Sequence, residues 1–322
     1  MKTFRKILLL WEEGAAQRLA IAQAAAIAAW HRATLTILDV IPDGTADAAS
    51  DIFAFHSKAL DPLLEPHRGQ VPIDVQLAVG TVFVEVINTV LRGGHDLVMK
   101  VAEAPDYLER LFGSTDMHLL RKCPCPLWLL KPGEDISSDA VLAAVDFDPD
   151  HIADGPNGDL NRRILAVASS LALARGAALH LVHAWGAFAE NRISSRAESP
   201  APHLDLYLKK EYTDHQQRLS RLAESLRMSL DEEARDRLRI GYHLPKGMAV
   251  KAVPQLARSL PAGIVVMGTV ARTGIPGLII GNTAEAILYQ LQCSVLAVKP
   301  GGFVSPVQPI PRSLPQERQS IP

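Results

Sequence analysis

The chain repeats itself, and this constrains its fold more than any other feature. Gly113-Ser114-Thr115 and Gly281-Asn282-Thr283 stand at an offset of 281 − 113 = 168. The same offset carries Met99 onto Met267, Cys125 onto Cys293, and Lys131-Pro132-Gly133 onto Lys299-Pro300-Gly301, with no gap between them. A repeat of domain length in a chain of 322 residues means two copies of one folding unit, each large enough to bury its own core.

The front ends correspond too, with insertions. Apolar runs at 6–10 and 141–145 open the halves and have the look of strands buried on both faces. Ala-rich helical segments follow at 15–31 and 160–175, then second strands at 33–40 and 178–184. Third strands are expected near 71–78 and 236–243, fourth strands end at 96–99 and 264–267, and the last run over 127–130 and 295–298. Strands alternating with helices imply βαβ crossovers and parallel pairing. The expected fold class is α/β, with two tandem doubly wound domains of five parallel strands each. Domain 1 covers residues 1–133 and domain 2 covers 139–300, with a polar linker at 132–138. The tail at 301–322, rich in Pro, Gln, Arg and Ser, has the composition of a segment without fixed structure.

Apolar residues at 48% and charged residues at 21% describe a globular chain. A net charge of −2 gives no electrostatic reason to expect nucleic acid or an anionic membrane as partner. The longest apolar stretch, 19–30, falls short of the roughly eighteen residues a membrane span needs. The N-terminal apolar run leads at once into Trp11, Glu12 and Glu13, so it reads as a first strand and the chain as cytoplasmic. Cys123, Cys125 and Cys293 lack zinc-site spacing and read as reduced packing residues.

In an open parallel sheet, ligands bind beyond the carboxyl ends of the strands where strand order reverses. Two stretches are expected there in each half: the end of strand one, and the loop after strand four. In the second half that loop is Gly-rich, running from Gly268 to Gly281. Asn282 or Thr283 is placed to cap the next helix, whose free amides would suit a phosphate. The alternative is a tight turn before an N-cap.

Here the chain resembles the universal stress protein family. Members that bind ATP share Gly, two residues, Gly, nine residues, Gly, then Ser or Thr. Gly268 and Gly281 match the outer glycines, Ala271 replaces the middle one, and Asn282 replaces the hydroxyl residue, with Thr283 next. The Gly-Asn-Thr ending resembles the tandem E-type branch. An Asp that meets the base is matched by Asp146. The resemblance thus implies ligand contacts at Asp146, Ala184, Met267, Gly268, Ala271, Arg272, Gly281, Asn282 and Thr283. Domain 1 offers weaker candidates at Trp11, Gly113, Ser114 and Thr115. There Lys100 and Glu103 stand at the first two glycine positions and Trp11 at the Asp position, so any nucleotide is expected in domain 2.

The implied cofactor is ATP or AMP, with Mg only if ATP is bound. The family's pairing through last strands implies an internal pseudo-dimer here, which the apolar runs at 127–130 and 295–298 would suit by hiding two sheet edges, with a further homodimer also open. The implied role is a stress-response protein that binds a small ligand without strong catalysis. An apolar-tailed anionic metabolite, using space around Trp11 and the loops at 45–70 and 186–212, is a variant. Two other readings stay open: a slow nucleotide hydrolase relying on Asp146 and Asp148, and a ligand-free scaffold. Among the eleven histidines no cluster is legible, and His180 and His183 fall on opposite faces of one strand.

Overall fold

The computed structural model describes residues 3–43, 49–103, 112–133, 140–147, 156–187, 200–269 and 280–308. The tail beyond 308 and the centre of the second glycine loop lie outside these.

In the first half, β1 (Lys6–Trp11), β2 (Thr34–Ile41), β3 (Ile73–Val79), β4 (Leu97–Val101) and β5 (Leu127–Leu130) alternate with α1 (Gln17–His31), α2 (Ala49–Arg68), α3 (Val82–Gly93) and α4 (Ser114–Lys122). The second half contributes β6 (Ala140–Ala144), β7 (Ala178–Val182), β8 (Ile240–His243), β9 (Ile264–Gly268) and β10 (Ser294–Val298). Its helices are α5 (Pro156–Arg175), α6 (Pro200–Ser229), α7 (Glu232–Arg237), α8 (Ala249–Ser259) and α9 (Asn282–Leu288). The third strand of this half starts later than expected, because Glu232–Arg237 folds as a helix capped by the Asp231 carboxylate on the Ala234 amide.

All ten strands form one sheet, ordered β3-β2-β1-β4-β5-β10-β9-β6-β7-β8. Pairing within each half is parallel, and the halves meet where β5 and β10 run antiparallel, Leu296 opposite Trp128. Each half is therefore a five-stranded doubly wound unit, as the alternation of elements implied, and the two last strands close each other's edges.

The apolar runs of β1 follow from burial on both sides. Ile7, Leu9 and Trp11 face a core shared with α1, α2, α5, α6 and α7. Leu8 and Leu10 face a second core shared with α3, α4, α8 and α9. Both cores run without a break across the β5–β10 seam, so burial binds the halves as well as each half's own layers.

Side chains tie the helices across the seam. His31 at the end of α1 accepts the Thr3 amide on Nδ1 at 3.1 Å, so its Nε2 carries the proton and donates to Ser170 Oγ of α5 at 3.2 Å. Arg121 of α4 pairs with Glu285 of α9 at 3.2 Å. Lys299, buried beyond β10, donates to the Leu120 carbonyl in the last turn of α4 and to Thr269 Oγ1. Among the described residues no helix is long and apolar enough to cross a membrane.

Candidate functional site

In each half the strand order reverses between the first and fourth strands, β1 against β4 and β6 against β9. The two crevices at the carboxyl ends of these pairs are equivalent by the repeat, yet their contents differ.

In the second half, Asp146 lies two residues beyond β6, with Ala144 opposite Met267 of β9. Its backbone is clamped on both sides by Asn161 of α5, whose Oδ1 accepts the Asp146 amide at 3.2 Å and whose Nδ2 donates to the Asp146 carbonyl at 2.8 Å. Asn161 is itself buried, so the clamp is a fixed part of the core, and it holds Asp146 at an exposed position. Ala184 is half-buried, two residues past β7. Met267 is buried inside the sheet, whereas Gly268 is at its end.

Gly268 serves packing: a Cβ there would stand 2.8 Å from Leu160 Cδ2, the start of α5 pressing on the strand end. The Thr269 carbonyl accepts the Gly281 amide at 3.1 Å, drawing the two ends of the glycine loop together. Gly281 is the N-cap of α9, in extended backbone and without a side-chain cap bond. Asn282 and Thr283 therefore open the helix instead of capping it, and both are exposed. Ala271, Arg272 and Asp148 lie outside the described residues.

A group the sequence did not reveal borders this crevice. His183 Nε2 and His215 Nδ1, from β7's end and α6, share a hydrogen bond at 2.9 Å. The His183 ring packs edge-on to Phe147, and the Trp185 ring lies tilted 5.7 Å from that of His215 and edge-on to Tyr212 at 6.0 Å. Burial, with Arg218 nearby, holds His215 below the ordinary histidine value. The cluster sets a wall of flat rings beside Asp146. His180 pairs separately with His243 at 2.9 Å, so the two histidines of β7 do occupy different faces, each with a partner brought from elsewhere in the chain. The separations of 32 and 63 residues left no local signal of either pair.

In the first half the same crevice is filled by the protein itself. Trp11 is 4% exposed, its ring 4.7 Å from that of His56 of α2, whose Nδ1 meets the buried Asp39 carboxylate at 2.7 Å. Where the glycine loop would begin, Lys100 is fully buried. Its ammonium lies 3.0 Å from Asp116, 3.2 Å from Glu12 and 3.5 Å from Glu103, and donates to the Val101 carbonyl. Burial acts to lower the Lys100 pKa, but the three carboxylates outweigh it and hold the ammonium above the usual lysine value. Burial pushes Asp116 up to about 6 against the pull of Lys100.

Asp116 also accepts the amides of Glu103 and Gly113, which brings the end of β4 beside the start of α4. A Cβ on Gly113 would collide with the Glu103 carboxylate, so this glycine makes room for an internal ion cluster. Ser114 and Thr115 begin α4 directly behind it. Among the described residues no group of three or more His, Cys, Asp or Glu side chains is arranged to hold a metal ion.

Fold and crevices together define a tandem α/β protein whose two halves differ at the reversal of strand order, with Trp11 and Lys100 buried in the first half and Asp146 exposed in the second. The universal stress protein family model matches residues 3–131 and 141–299, and the chain belongs to the universal stress protein family. It is 35% identical over 243 residues to universal stress protein E of Salmonella typhi, covering 74% of this chain and 72% of that protein. It is 29% identical over 226 residues to universal stress protein E of Photorhabdus laumondii, covering 69% of this chain and 67% of that protein. A solved structure from Pseudomonas aeruginosa UCBPP-PA14, described as a universal stress protein, superposes with a TM-score of 0.69 at 26% identity, covering 93% of this chain and 94% of the other.

Proposed function

We propose that this universal stress protein binds one adenine nucleotide per chain, ATP or AMP, in the crevice of the second half, and acts as a ligand-responsive stress regulator without strong catalysis. One observation carries the reading. At the point where strand order reverses, the second half presents exposed Asp146, Asn282 and Thr283, while the first half fills its equivalent with Trp11 and the Lys100 cluster. Asp146, its backbone held by Asn161, would accept from an exocyclic amine of the base. The amides at Gly281-Asn282-Thr283 and the guanidinium of Arg272 would meet the phosphates, with Ala184, Met267, Gly268 and Ala271 shaping the floor. Because α9 has only seven residues, its dipole adds little, and affinity rests on the loop's amides and on stacking against the neighbouring rings. Mg would enter with ATP as the metal–nucleotide complex. Trp11, Gly113, Ser114 and Thr115 have structural duties in this reading. The free buried cysteines suit a reducing cytoplasm, and the sealed β5–β10 seam makes the single chain an internal pseudo-dimer.

Native mass spectrometry of the freshly purified full chain tests the reading. One co-purifying or added adenine nucleotide per chain is expected, with binding lost in Asp146→Ala. A lipid-like mass instead of a nucleotide, or no thermal shift with ATP, AMP or their Mg complexes, would overturn it.

A further inference from the structure

The segment joining α4 to β5 reads Cys123-Pro124-Cys125-Pro126. A residue before proline is disfavoured in helical backbone, and Cys123 ends α4 at φ −64, ψ 128. Residues two apart in extended chain project to the same side. The two sulfurs accordingly lie 3.7 Å apart, both as free thiols. We propose that Cys123 and Cys125 form a redox-active dithiol, which a small hydroperoxide converts into an intramolecular disulfide.

The surroundings favour this chemistry at Cys123. The Cys125 thiol and amide both donate to its sulfur, and the Lys299 ammonium lies close by, so its pKa falls below the usual thiol value although burial opposes this. Burial pushes Lys299 itself down to about 8, against the pull of the two sulfurs, and among the described residues it donates to two uncharged acceptors, the Leu120 carbonyl and Thr269 Oγ1. A thiolate at Cys123 would give this buried cation a neighbouring anion. The Cys125 proton remains on its sulfur, which suits it as the resolving partner.

The reaction balances without a further reagent. With hydrogen peroxide as the hydroperoxide, the Cys123 thiolate attacks one oxygen and the O–O bond breaks. The departing hydroxide takes up the proton the thiol had released and leaves as water. The sulfenic acid on Cys123 is then attacked by Cys125, the S–S bond forms, and a second water leaves with the sulfenic oxygen and the Cys125 proton. Two thiols lose two electrons and one peroxide gains them.

Cys293 supplies an internal reference, since it is 7% exposed against 0% for Cys123 and 8% for Cys125. The full reduced chain is exposed to stoichiometric hydrogen peroxide while folded, then quenched by alkylation in denaturant and cut with trypsin. Residues 123–162 form a single tryptic peptide holding both thiols, because Lys131 precedes a proline. The expected product is this peptide unalkylated and lighter by two hydrogen atoms, restored by a dithiol reductant, while Cys293 remains alkylated. In Cys125→Ser, a sulfenic acid on Cys123 should be trapped by dimedone. Oxidation of the pair no faster than that of Cys293, or a disulfide joining two chains, would overturn the proposal. The wild-type measurement decides the matter even if the variant fails to fold.

Discussion

At residue scale, equivalent positions of the two halves solve the same problem with different chemistry. The turn from α1 into β2 passes through Arg32 at φ +52, whereas the matching turn after α5 uses Gly176 at φ +66. A left-handed conformation strains a residue with a Cβ. Arg32→Gly should therefore stabilise the protein by up to about 1 kcal/mol, read from the midpoint of urea unfolding. No change, or a loss, would show that Arg32 contributes a compensating contact. The Lys100 cluster offers a stronger test. Lys100 and Asp116 are both fully buried, so Lys100→Met strands a buried carboxylate and should cost about 3–5 kcal/mol. Adding Asp116→Asn, which drops the charge and keeps an oxygen for the Glu103 and Gly113 amides, should return most of that loss, and a double variant as unstable as the single one would refute the pairing. The sequence showed Lys100 and Glu103 as departures from a glycine pattern. It could not show that Glu12 and Asp116 join them, because those contacts form only after β1, β4 and α4 have come together.

At the scale of elements, the sheet was largely legible because buried parallel strands carry dense apolar runs that few other structures tolerate. The third strand of the second half was misplaced at its start, since a short charged helix, Glu232–Arg237, precedes it with no apolar period of its own. The ring cluster of His183, His215 and Trp185 was not legible at all, because α6 reaches the end of β7 through tertiary packing alone. The β5–β10 ladder itself is short, and in it Trp128 is fully buried opposite Leu296. Trp128→Ala should cost about 3–5 kcal/mol and separate the unfolding of the halves into two transitions in calorimetry. A single transition at unchanged temperature would mean that the helices alone hold the halves together.

For the whole molecule, docking of the halves should respond to acid. Burial and the nearby amino terminus lower the His31 pKa to about 4, below its unfolded value of about 6.5. A histidine held neutral in the fold binds its proton more readily when unfolded. Its contribution is therefore intact above pH 6.5 and is lost as pH falls towards 4. His31→Gln should flatten the stability profile across that window, with wild type losing at most roughly 3 kcal/mol more than the variant between its ends. Parallel profiles would place the acid sensitivity elsewhere.

The central claim is that the repeat has kept one open crevice and filled the other from within. Titration calorimetry of the full chain with AMP and with MgATP tests it most directly. One site per chain is expected, lost in Asp146→Ala and kept in Lys100→Met with Asp116→Asn. Two sites per chain, or binding that survives Asp146→Ala and disappears when the Lys100 cluster is altered, would contradict it.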